Sequence, residues 1–375
     1  MTEKKISKQK AGRSSTQIKV DQYVVNNVSN GLSEREVRNI VQAEATKIIA
    51  EANESAKQIA NTRVDSFSDI LIKRLIESDN LEELRNPAMH LIIRKAQEAA
   101  ICMDDKSDHE MLSELLVYRA EHPNDKNATS SVKKAITEID SISKDALDAL
   151  TISFSIMSFT PVSGFIEDGL QAIDTLFGKM LRKISLPTNN DWIENLEITN
   201  IIRVSSFGRL KKYEEITRDN FSGYFVLGIK KESDNYVKAL DMLSANNLPK
   251  SILVHNTLDN NYVRIVTPSL EKISEMGLIN AKTRLLEKFS EAQVKAIKNI
   301  IDLYETNSGA FNNMEKRFKE LLSSYKSISE VKEWWDRLAG SGICFSITPV
   351  GRVLANTNAQ RIDPNLPDLN NKKTN

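Results

Sequence analysis

A chain of 375 residues exceeds what one core of usual size serves, about 100–200 residues, so two or three packing units are expected. Apolar residues at 40% and charged residues at 27% lie close to globular averages and exclude a wholly disordered chain. The 51 Lys and Arg are balanced by 51 Asp and Glu, which excludes the global positive field that draws phosphate backbones from a distance, although a local basic patch stays open.

Residues 1–16 carry Lys4, Lys5, Lys8, Lys10 and Arg13 against Glu3 alone and contain no apolar run of the kind a secretion signal needs, so a disordered basic tail on a cytoplasmic chain is expected. From Gln17 to Val28 the character changes. Ile18, Val20, Val24 and Val28 share one parity in a β-branched stretch, which predicts a strand. No second strand lies within easy hairpin reach, and an isolated strand leaves its backbone donors and acceptors unpaired. Ser33 then opens a helix as N-cap, with Glu36 three residues on completing a capping box, and neither Gly nor Pro follows until after Ser78. Val37, Val41, Ala45, Ile48, Ala52 and Ile59 advance in steps of three, four or seven and form a narrow apolar stripe. At about 1.5 Å per residue such a helix would be a rod of roughly 65 Å, too long to cover its own stripe. Laying the rod across its own domain would cover it, and so would coiling with another subunit. The strand beside it needs a partner as well, so residues 17–78 are read as an oligomerisation segment built on Ile18, Val20, Val24, Val28, Val37, Val41, Ile48, Ala52 and Ile59.

Residues 79–186 read as a helical domain, with helices expected over 81–103 (interrupted by Pro87), 111–121, 130–158 and 164–184. The uncharged stretch from Ala149 to Ile166 holds six Ser and Thr plus Pro161 and Gly164, which fits a buried helix ending near Pro161 better than a membrane span. Residues 187–270 form a small α+β region: a strand is expected over Phe221–Ile229, and a hairpin joins SILVHNT to YVRIVT through Leu258-Asp259-Asn260-Asn261. Residues 271–358 form a helical C-terminal domain, with helices expected over 268–276, 281–304, 313–325 and 329–339. A strand over 343–347 and a short helix opened by Pro349 follow, and residues 359–375 are a loose tail.

No linear motif for catalysis stands out. The histidines His90, His109, His122 and His255 stand in no metal-ligand spacing; His90 reads as a core histidine, His109 and His122 as loop or helix-end residues. Cys102 and Cys344 read as buried free thiols. The acidic loop 104–108 lacks the glycine and terminal glutamate of a calcium loop, and no phosphate loop, dinucleotide fingerprint or nucleophile elbow occurs, so neither metal nor cofactor is expected. The carboxylate pairs Glu82-Glu83 and Glu214-Glu215 read as solvated faces, as does the basic cluster Arg209, Lys211 and Lys212. Helices 313–325 and 329–339 with the following strand resemble the end of a winged helix, but one short strand replaces the two-stranded wing and VKEWWDRLAG has an acid for nearly every base. Trp334 and Trp335 are therefore read as packing anchors, and nucleic-acid binding stays a secondary reading.

Taken together, SSTQIKVDQYVVNNV, GLSEREV, ELLVYRAEH, DALDALTISFSI and ITPVGRVLANTN resemble an uncharacterised bacterial family named after Legionella and Veillonella locus tags, the LPO/Vpar family. The resemblance spans nearly the whole chain and implies no catalytic residues. A short strand followed by GLS and a long helix is also similar to the multimerising leaders of some bacterial conflict and phage-defence proteins. The sequence thus predicts a mainly α fold with a small α+β middle part: an N-terminal strand plus long helix, a helical bundle, and a helical C-terminal unit of degenerate winged-helix character. The functional expectation is a homo-oligomeric scaffold or sensor without a reaction of its own, with a DNA-binding regulator or a membrane-acting effector as alternatives.

Overall fold

The computed structural model describes residues 34–279 and 286–369, and for residues 34–52 and 279 the backbone alone. The expected basic tail, the strand residues Ile18, Val20, Val24 and Val28, and the last residues of the C-terminal tail lie outside the described part, as do the side chains of Val37, Val41, Ile48 and Ala52. The chain divides into two compact units, 1–58 and 59–375. In the first, the described residues are helical; they open α1 (Glu34–Glu77), and the side chains of 53–58 are exposed.

The second unit is mainly helical, as expected. Its larger core gathers the end of α1 with α2 (Pro87–Cys102), α3 (Lys106–Glu121), α4 (Lys126–Glu138), α5 (Lys144–Ser158) and α6 (Ile166–Leu181). Phe67, Leu71 and Leu75 bury the inward stripe of α1 against this group. Local chemistry marks most of the boundaries. Asn86 caps α2 with Pro87 at its first position, and Asp105, Asp125 and Ser143 accept backbone N–H groups at the starts of α3, α4 and α5. The helix expected over 130–158 is therefore two helices, parted by a 3-10 turn at Ile139–Ser141 and restarted by Ser143.

After α7 (Asp191–Ile198), β1 (Ile202–Ser205) pairs antiparallel with β7 (Cys344–Ile347), so the strand expected at 343–347 does have a partner, contributed from far upstream. Phe345 and Ile347 point inward, and Phe345 meets Trp192 edge-on at 5.7 Å between ring centroids. Trp334 and Trp335 of α12 (Lys326–Gly340) are packing anchors, their indole N–H groups donating to Pro187 O and Lys211 O. α11 (Ser308–Ser324) lies before α12, and α8 (Tyr213–Asn220) follows β1.

α13 (Pro349–Ile362) is not the short terminal helix expected from the sequence. Thr348 caps it, Val353–Ala359 are buried without interruption, and it packs on α3, α4, α5 and α6. Its entry is tight, since a Cβ on Gly351 would stand 2.4 Å from Ile201 O.

Between α8 and α11 a smaller core is inserted. β2 (Ile229–Lys230), β3 (Leu253–His255) and β4 (Tyr262–Ile265) form an antiparallel sheet in the order β2-β4-β3, which includes the expected hairpin. α9 (Asp234–Ala245) and α10 (Glu291–Ile301) pack against it through Leu243, Ile297 and Ile300. Two expectations fail here. The apolar run 221–228 is coiled, because Gly223 and Gly228 bring backbone within reach of backbone: a Cβ on Gly228, whose φ is +89°, would stand 2.1 Å from Val263 O. In place of the expected helix 268–276 the described residues hold a 3-10 turn at Ile273–Glu275; β5 (Gly277–Ile279) follows and pairs with β6 (Leu286–Lys288), which occupies the early part of the expected helix 281–304, and the later part of that helix is present as α10, opened by a Ser290–Gln293 capping box.

Arg264, 1% exposed, joins insert to body. Its Nη1 donates to the carbonyls of Gly223, Ile265 and Thr267, its Nη2 to Gly164 O at 2.6 Å, and its guanidinium lies 5.5 Å from the Tyr224 ring centroid. Burial lowers its pKa, so the charged form is held by carbonyl dipoles rather than by a carboxylate. Two predictions follow from these contacts. Arg264→Met removes the side-chain donor from the carbonyls of Gly164, Gly223 and Thr267 in a dry site and is expected to cost about 3 kcal/mol or more in urea unfolding; a change below about 1 kcal/mol would show that insert and body do not depend on it. Leu75→Ala is expected to cost about 2–5 kcal/mol and Ile59→Ala about 0.5 kcal/mol or less, because only the former empties a packed site.

Candidate functional site

A cleft of about 680 Å³ is built on the helical body. One wall is the turn from α2 into α3, where Asp105 accepts the Ser107 N–H at 2.9 Å to start α3 and so sets Asp104, Asp105, Asp108 and Glu110 along the cleft. Lys144 and Asp148 of α5 line it too, with Lys183 beyond α6 and Asn358 and Arg361 of α13. Arg74, in the last turn of α1, is also a lining residue and donates to Glu114 at 3.1 Å.

The charges are held in place. Asp148, 4% exposed, accepts Lys144 Nζ at 3.0 Å and the Ser185 N–H at 3.1 Å. Arg361 donates to Ser107 O, tying α13 to the acidic turn, and Asp104 pairs with Arg63. Burial and the neighbouring Asp105 charge push the Asp108 carboxyl above its ordinary range, against the pull of Arg361, His109 and Lys144. Burial likewise raises Glu114, with Arg74 opposing it. At the base, Asn358 Nδ2 donates to Thr151 Oγ1 at 2.9 Å while its Oδ1 is buried without a partner among the described residues. Such a cleft suits a polar ligand that carries both signs of charge, or an ammonium group met by the α3 carboxylates.

Successive turns of α13 reach other clefts. Thr357, Gln360 and Arg361 line one of about 230 Å³, and Arg352 and Asn356 one of about 570 Å³ with Phe154 and Met157. The buried seam includes Thr151, Ser153, Asn356, Thr357, Asn358 and Arg119, and Ser153 Oγ, Asn356 Nδ2 and Arg119 Nη1 lack partners among the described residues. Sequence reasoning missed this seam. The run Asn356-Thr357-Asn358 falls inside the expected C-terminal domain with no role given to it, although consecutive polar residues after a proline-opened apolar helix were the available signal.

Of the expected oligomerisation residues, only Ile59 has a described side chain, and it is 49% exposed. The histidine readings need correction. His90 is exposed, whereas His109 is the buried one, set edge-on to Phe67 inside α3 with Nε2 3.3 Å from Ala100 O. His122 caps the C-terminal end of α3, as expected. The cysteines are free but not buried: Cys102 is exposed and Cys344 half-buried. Glu215 grips Arg209 with both oxygens, which lowers its pKa to about 2, and Lys211 pairs with Asp219, so this basic cluster is neutralised locally. Among the described residues no helix is long and apolar enough to cross a membrane.

One family model matches residues 31–370, from the glycine ahead of α1 almost to the C-terminus. The chain belongs to that uncharacterised family, of the Vpar type. No curated protein and no solved structure matches the chain. The Vpar-type match embraces α1, the acidic turn, the insert and α13 together, but it starts after the strand-like stretch 17–28.

The raised Asp108 carboxyl has a measurable sign. The folded state holds its proton to higher pH than the unfolded chain, so its contribution to stability is present at low pH and is lost as pH rises through the folded value. Asp108→Asn should therefore flatten the fall in melting temperature on going from acid to neutral pH and add about 0.5 kcal/mol or less at neutral pH. Parallel pH profiles for wild type and variant would refute this assignment.

Proposed function

We propose that this Vpar-type chain is a self-associating scaffold or sensor, in which the N-terminal segment joins copies and the charged cleft takes a polar ligand. The reading is carried by the division of α1. Phe67, Leu71 and Leu75 are buried in the core of their own unit, whereas Ile59, the last member of the stripe that starts at Val37, is 49% exposed and residues 53–58 around it are exposed. An apolar stripe on a helix is stable in water when another surface covers it, and a second copy of the same helix is the simplest cover of matching pattern. Arg74 supports the sensing half of the reading, since it belongs to α1, pairs with Glu114 and lines the cleft. A ligand that engages Arg74 would act on the helix that makes the assembly. We extend the reading to bacterial phage defence solely on the resemblance of the N-terminal opening to multimerising leaders.

The full chain is expected to scatter light as a whole-number multiple of its own mass, and the pair Val41→Asp with Ile48→Asp to bring it down to the single-chain mass without loss of helical circular dichroism. A wild-type chain that stays monomeric at every concentration tested would end the proposal.

A further inference from the structure

At the end of α3, Glu121, His122 and Asp368 each offer a donor atom, all within 4.8 Å of one another. His122 Nδ1 lies 2.8 Å from Tyr118 O and its Nε2 lies 3.0 Å from Asp368 Oδ2, with the Tyr118 ring stacked at 4.4 Å to fix the plane of the imidazole. Both of those partners are acceptors. A neutral imidazole has one N–H, and the backbone carbonyl of Tyr118 can only accept it, so the Nε2 lone pair is left aimed at a carboxylate. That arrangement is repulsive unless the ring takes a second proton or a cation comes between. The other oxygen, Asp368 Oδ1, is buried with no hydrogen-bond partner among the described residues, and an uncompensated carboxylate oxygen away from water is costly.

We propose that Glu121, His122 and Asp368 form a binding site for a divalent transition metal of the Zn²⁺ class, which pins the C-terminal segment after α13 to the end of α3. One imidazole nitrogen and two carboxylates make a mixed nitrogen and oxygen donor set of the sort such ions take, with a fourth position for water. The Tyr118 carbonyl plays the orienting part usual for metal-bound histidine, holding Nδ1–H so that Nε2 faces the ion. Donors at about 2.0–2.2 Å from one tetrahedral Zn²⁺ stand about 3.3–3.6 Å from each other, so atoms spread over as much as 4.8 Å need a closing movement of about 1 Å, which exposed Glu121 can supply by rotation. The sequence shows none of this. Glu121-His122 is separated from Asp368 by most of the chain, and no local spacing rule spans that interval.

The test uses the full chain, stripped with a chelator and titrated with Co²⁺, read by visible d–d absorption, and with Zn²⁺, read by calorimetry and melting temperature. One equivalent should bind, Zn²⁺ should raise the melting temperature, and the ring nitrogen shifts of His122, one of four histidines, should move. Glu121→Gln, at an exposed position that the fold does not need, and Asp368→Asn should each weaken binding at least tenfold, while Cys102→Ser should leave it unchanged. No uptake by the wild-type chain, uptake unaltered in both Glu121→Gln and Asp368→Asn, or uptake abolished by Cys102→Ser would each overturn the assignment.

Discussion

The inserted α+β region keeps its place on the helical body through a buried cation without a carboxylate. The two Nη groups of Arg264 donate to the carbonyls of Gly164, Gly223, Ile265 and Thr267, which come from the loop between α5 and α6, the coil after α8, and the edge of β4 itself, while its buried Nε has no partner among the described residues. The two glycines are needed for that convergence. A Cβ on Gly164 would stand 2.4 Å from the Val266 carbonyl carbon, and one on Gly223 would stand 2.2 Å from Thr267 O. A carboxylate partner would have demanded its own desolvation, whereas oriented peptide dipoles are already in place and satisfy the charge without adding a second ion. Nearby Asn256, fully buried, donates to Val226 O and Leu227 O and accepts the Leu258 N–H, so the coil that replaces the expected strand has its backbone groups paired.

What was legible in the sequence is what short-range chemistry decides. Caps such as Asp105, Ser143 and Thr348, the hairpin of β3 and β4, and the anchoring tryptophans all follow from residues within a few positions of one another. The failures share a cause. β7 lacked a visible partner because β1 lies some 140 residues earlier in the chain. The stretch 221–229 has strand composition, but a carbonyl trap around a distant arginine decides its path. His90 sits among apolar neighbours in sequence and still faces water, because Met89 and Ile92 are the residues of α2 that face the core. The 680 Å³ cleft was invisible for the same reason: Asp108, Asp148, Asn358 and Arg361 meet only after folding.

Helix α1 carries one periodic pattern in two compositions. Its inward residues near the C-terminal end, Phe67, Leu71 and Leu75, are large, whereas the earlier stripe is rich in alanine and valine. Large side chains fill the space between helices of unlike orientation, while small ones let two similar helices approach along their length. The change of residue size along a helix without Gly or Pro is therefore the feature on which the proposed assembly rests. The cleft beside its final turn gives that helix a neighbour rich in charge, where Arg74 answers to Glu114 rather than to solvent alone.

The placement of α13 has a consequence for biosynthesis. The helix that fills the middle of the bundle leaves the ribosome after the helices that surround it, with Val353–Ala359 enclosed by segments made long before. Until it arrives, α3, α4 and α5 have greasy inner surfaces and no occupant, so the nascent polypeptide must wait, half assembled, for this helix. A chain cut short before α13 would be hollow at its centre, a substrate for chaperones and proteases rather than a shortened version of the native molecule.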